Sequence, residues 1–96
     1  MPDMKVFSGV TPEIFECVKA KSEKEHGTKY VPRDADKGTA TTSTTMYKIK
    51  LGFEFNPGSG DLTYTLVDKS LIVPIKEVWK GIEKTISSCR AGGPRQ

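Results

Sequence analysis

Between residues 46 and 67 the chain alternates in hydropathy twice, with a turn between. Tyr47, Ile49, Leu51, Phe53 and Phe55 take every second position, separated by Lys48, Lys50, Gly52 and Glu54. After Asn56-Pro57-Gly58-Ser59-Gly60, Leu62, Tyr64 and Leu66 alternate with Thr63, Thr65 and Val67. Side chains on a strand point to opposite faces with period two, so the segment is a two-stranded ribbon with one apolar and one polar face. The strands are expected over about 45–55 and 61–68. A ribbon with eight large apolar side chains on one face must be covered, and that need organises the rest of the chain.

Two helical segments are placed to cover it. Thr11-Pro12-Glu13 is a helix start: Thr11 caps, Pro12 suits the first helical position, and Glu13 meets the positive helix end. This helix is expected over 12–26, stopping at Gly27. Its apolar stripe of Ile14, Phe15 and Val18 fades at Ser22 and Glu25. The second helix is expected over 74–89, opened by Pro74. Its inward positions Ile75, Val78, Trp79, Ile82, Ile86 and Cys89 form the cleanest helical stripe in the chain. Gly81 interrupts it at about 1 kcal/mol relative to alanine.

The fold class is therefore α+β, an antiparallel sheet built on a long hairpin and covered on one face by two helices. A single domain over residues 1–90 and a frayed tail over 91–96 complete the expected organisation. Lys5–Ser8 and Thr28–Val31 read as minor strands. Thr39–Thr45 is a hydroxyl run that reads either as the polar start of the long strand or as a mobile loop. Leu71-Ile72-Val73 reads as a short buried segment. The long strand outruns its partner, leaving an unpaired edge open to another chain.

Composition narrows function by exclusion. Net charge is +3, with 8 Lys/Arg and 7 Asp/Glu in residues 1–48 and 7 and 5 in residues 49–96, so neither half is a basic arm. No apolar stretch reaches the roughly 18 residues a membrane helix needs. The N-terminus has no signal-peptide core, and a cytoplasmic location is expected. Cys17 and Cys89 match no metal spacing. They read as buried thiols in a reducing compartment, or as one disulfide tying the first helix to the last in an oxidising one.

Reactive constellations are scarce. His26 is the only histidine and sits at a helix end that favours its charge. Cys17 is nine residues from it, roughly 13 Å along one helix, so the two cannot form a nucleophile–base pair. Asp34-x-Asp36-x-Gly38 lacks the glycine and glutamate positions of a calcium loop. The GxG at residues 58–60 leads into a strand and is a hairpin turn rather than a phosphate cradle. No cofactor, no metal and no enzymatic activity is expected.

Three function classes remain. The first is a small non-catalytic protein-interaction module, binding another protein or itself through the sheet edge and the half-amphipathic first helix. The second is a weak binder of nucleic acid or anionic ligands through Lys76, Lys80, Lys84 and Arg90, with Arg95 beyond. The third is a carrier of a small apolar ligand between sheet and helices, lined by Tyr47, Leu51, Phe53, Tyr64 and Trp79. In the first two, these aromatic residues are simply core.

Overall fold

The computed structural model describes residues 3–91. The elements run β1 (Met4–Phe7), α1 (Pro12–His26), β2 (Lys29–Val31), β3 (Lys37–Ser43), β4 (Lys48–Asn56), β5 (Asp61–Lys69) and α2 (Ile75–Ala91). The five strands form one antiparallel sheet in the order β1-β5-β4-β3-β2. Both helices cover the same face. The architecture is the expected α+β arrangement, with the β4–β5 hairpin at the centre of the sheet.

Local chemistry sets the helix ends. Thr11 Oγ1 accepts a hydrogen bond from the Ile14 amide at 3.1 Å, and Pro12 opens α1. Gly27 closes it at φ 69°, a left-handed conformation that a side chain would resist. Phe15 and Val18 then lie buried over the sheet, with the Phe15 ring 5.8 Å from Phe53 and 4.8 Å from Phe55. From α2, Val78, Ile86 and Cys89 are buried, while Ile75, Trp79 and Ile82 are half-buried against the same core.

Three local readings change. The hydroxyl run is neither the start of the long strand nor a loop. Residues 37–43 form the separate strand β3, paired with β4 along its whole length. The chain reverses at Thr44, whose Oγ1 accepts hydrogen bonds from the Met46 and Tyr47 amides, both at 3.1 Å. A threonine hydroxyl thus does what an asparagine or aspartate side chain does in a more recognisable turn. With β3 on one side and β5 on the other, β4 has no free edge, so the docking edge expected on the long strand is absent. The sheet edges are β1 and β2 instead. Finally, the Leu71-Ile72 segment is not buried: the two residues are 97% and 72% exposed.

Gly38 makes the β2–β3 approach possible. A Cβ there would lie 2.2 Å from the Val31 carbonyl oxygen, inside any allowed contact. A register shift at Lys50/Leu51 leaves Val67 of β5 without a partner on β4. Such a bulge bends its strand and sharpens the twist, here toward the end where β5 leaves for α2.

Candidate functional site

Cys17 of α1 and Cys89 of α2 are joined by a disulfide with a Cα–Cα separation of 5.9 Å. The buried-thiol reading gives way to the covalent one, and the link fixes where the helices meet. The C-terminal half of α1 and the N-terminal half of α2 leave a wedge over the sheet, with a cavity of about 200 Å³.

The wedge has a sheet floor, two helical walls and a mouth. Tyr30, Ala40, Leu51 and Tyr64 make the buried floor. Val18 and Ser22 stand on the α1 side, and Val78, Ile82 and Thr85 on the α2 side. At the mouth lie the exposed residues His26, Glu77 and Gly81. The fading of the α1 stripe at Ser22 now has a physical meaning: that position lines the space and sets its hydroxyl beside the Tyr30 phenol. Gly81 lines the same space, and a Cβ there would meet nothing within 4 Å.

The polar content of the wedge is almost entirely hydroxyl. The Tyr30 and Tyr64 hydroxyls are hydrogen-bonded to each other at 2.8 Å. Burial pushes the Tyr30 phenol above its ordinary range, and Tyr64 well above it, so both are neutral phenols at physiological pH. Thr28, just before β2, and Thr42 of β3 share a second hydroxyl–hydroxyl bond at 2.6 Å. The Thr85 hydroxyl donates back to the Gly81 carbonyl at 2.9 Å.

Of the residues expected to line an apolar site, Tyr47, Leu51 and Tyr64 do line the wedge. Phe53 and Trp79 do not. Phe53 is buried elsewhere, its ring 5.2 Å from Tyr30 and 5.8 Å from Phe15. Trp79 packs half-buried against the core from α2. Sequence reasoning missed Tyr30, and the placement of its short segment just before Pro32 was the only trace it left.

The basic residues are divided. Lys76, Lys80 and Lys84 are exposed along α2. Arg90 instead donates to the Ser8 carbonyl and shares a shallow groove with Lys5 and Glu83. Arg95 lies outside the described residues, as does the rest of the expected 91–96 tail except Ala91, which ends α2.

A second polar cluster lies toward the β2–β3 connection. The Arg33 guanidinium contacts Glu16 at 2.8 Å and Glu23 at 2.7 Å. Its hydrogen bond holds the Glu16 carboxyl below the usual carboxylate range. Lys19, only 4% exposed, donates to the Arg33 carbonyl at 2.9 Å and lies 4.3 Å over the Phe15 ring. This cluster fastens the connection to α1. Among the described residues, no group of three or more His, Cys, Asp or Glu side chains is placed to hold a metal ion. No described helix is long and apolar enough to cross a membrane.

Comparison with known protein families, characterised proteins and solved structures finds no match to this chain.

Proposed function

We propose that this protein binds a small, largely apolar molecule in the wedge between its sheet and its two helices. The observation that carries this reading is the cavity itself: about 200 Å³, apolar over most of its wall, with a buried tyrosine pair inside. Ligand sites are typically of this kind, mostly apolar with a few placed polar groups. Gly81 supports it further. Alanine would favour the helix by about 1 kcal/mol, and there is room for its methyl group, yet glycine stands at the mouth.

Benzene is the simplest probe, since an engineered apolar cavity of about 150 Å³ holds it. Amide chemical-shift changes on adding benzene are expected at Val18, Ala40, Leu51, Val78 and Ile82. Ala40→Leu fills the floor and should abolish them. If the protein shows no saturable shifts, or shows them only at the exposed Leu71-Ile72 turn, this reading fails.

The disulfide supports an oxidising compartment rather than the cytoplasm that the N-terminal sequence led us to expect, because cytosolic thiols are kept reduced. Alkylation and mass measurement of the protein recovered from its own cells would find Cys17 and Cys89 protected until reduction. Freely alkylated cysteines would return the protein to the cytoplasm.

One observation favours a second reading, self-association. Met46, Leu71 and Ile72 are 76%, 97% and 72% exposed. They lie on two turns that Ser70 ties together: its amide donates to the Lys48 carbonyl and its Oγ accepts from the Lys48 amide, both at 2.9 Å. A second copy of the chain would cover this apolar end. Light scattering after size exclusion would then give a dimer that survives high salt and is lost in Leu71→Asp/Ile72→Asp. A monomer at every concentration would end this reading and leave the first untouched.

A further inference from the structure

We infer that the molecule held in the wedge is neutral, has a single ring, and carries a carbonyl oxygen that accepts a hydrogen bond from the tyrosine pair. This rests on the ligand-binding reading above and adds the chemistry of the ligand.

The argument begins with a count of hydrogens. Two phenol hydroxyls carry two hydrogens, and the mutual bond at 2.8 Å uses one of them. The Ser22 hydroxyl beside Tyr30 extends the pair to three hydroxyls, and three hydrogens for two bonds still leave one O–H to direct elsewhere. Tyr30 is 6% exposed and Tyr64 1% exposed, so bulk water does not meet that need freely. A buried donor without a partner is costlier and rarer than an acceptor with a spare lone pair. The Thr28–Thr42 pair repeats the arithmetic on the neighbouring wall, two hydrogens for one bond. Thr85 consumes its own hydrogen on the Gly81 carbonyl. The wall therefore has donors to spare, and a ligand oxygen satisfies one of them.

Charge and size complete the description. Among the described residues no Lys or Arg lines the wedge, and its charged members are Glu77 and the titratable His26, both at the mouth. A carboxylate drawn into the depth would lose its hydration without meeting a cation, and Glu77 would repel it on entry. The cavity of about 200 Å³ exceeds the roughly 150 Å³ that holds benzene. The surplus accommodates a ring plus a short substituent.

Three probes of similar size separate these claims: acetophenone, isopropylbenzene and benzoate. Their affinities are measured by calorimetry on the wild-type protein and on Tyr30→Phe/Tyr64→Phe. The double variant removes both hydroxyls together and leaves neither oxygen orphaned. The acetophenone-to-isopropylbenzene affinity ratio should fall by roughly tenfold in the variant, the equivalent of one hydrogen bond. Benzoate should bind the wild type at least tenfold more weakly than acetophenone. Infrared spectra of bound acetophenone give a readout that needs no variant. Its carbonyl stretch should lie below the value in an alkane solvent, as a hydrogen-bonded carbonyl does.

An unshifted stretch, a ratio indifferent to the double variant, or benzoate binding as well as acetophenone would overturn the inference. If isopropylbenzene still binds in those cases, the wedge remains a ligand site of different chemistry. If benzene and all three probes fail to bind the wild type, the ligand-binding reading falls, and this inference with it.

Discussion

Reducing the Cys17–Cys89 disulfide should remove about 4 kcal/mol of stability. The two cysteines are 72 positions apart, so the bond closes most of the chain into one loop. In the chain-entropy account, a loop of that length lowers the entropy of the unfolded state by about 15 cal/mol/K, or roughly 4 kcal/mol at 25 °C. A domain of this size typically has only about 5–14 kcal/mol in total. With an unfolding entropy of about 0.2 kcal/mol/K, the melting temperature should fall by roughly 20 °C. Urea unfolding of the oxidised and reduced protein is the direct assay, because reduction leaves both side chains in place. The midpoint should drop, and the slope m should rise as the freed chain exposes more surface on unfolding. Cys17→Ala/Cys89→Ala should reproduce the loss in the absence of reductant. A loss below about 1 kcal/mol would refute the reasoning, because the long loop would then not constrain the unfolded chain.

Four further outcomes follow from the packing. Tyr30→Phe and Tyr64→Phe should each cost about 1–3 kcal/mol, and the double variant less than their sum, since it leaves no orphaned hydroxyl; urea midpoints of all four proteins test it. Burial raises both phenol pKa values above 10.0, so the unfolded chain gives up these protons first as alkali is added. Their contribution is complete below pH about 10 and is lost above it, so phenolate absorbance from these two residues should appear together with loss of far-ultraviolet dichroism. Gly81→Ala should raise stability by about 0.5–1 kcal/mol, whereas Gly38→Ala should lower it by about 2 kcal/mol or more because its Cβ meets the Val31 carbonyl; thermal melts distinguish the signs. Lys19→Met removes the buried donor to the Arg33 carbonyl and should cost about 1–3 kcal/mol, with faster proteolysis between Arg33 and Asp36.

The legible parts of the fold were those with a local signal. The β4–β5 hairpin was written in strict alternation, α1 in its Thr11-Pro12 start and Gly27 stop, and α2 in its apolar spacing. Strand β3 was not legible, because its inward residues are Ala40 and Thr42 rather than large apolar ones. They face the wedge, which demands no bulk from them, so the usual alternation of hydropathy never forms. The Leu71-Ile72 turn misleads in the opposite way: its apolar composition suggests burial, and the chain places both residues outside. The wedge itself is missing volume, and missing volume has no residue to announce it. Its trace was the run of small inward residues, Ser22, Ala40 and Gly81, on three separate elements. Pairing Cys17 with Cys89 required knowing that the two helices cross at those positions, which is information about the tertiary fold alone.

Those small residues bear on why the wedge exists. A leucine at position 40 would fill the floor, an alanine at 81 would strengthen the helix, and phenylalanines at 30 and 64 would hold the core without a buried hydroxyl pair. The chain has none of these residues, and all four positions face the same space. Departures from local stability rules scattered over a surface need no common cause. Convergence on one cavity is the pattern that the proposed ligand site predicts, because functional sites are where proteins break such rules and restore the stability elsewhere.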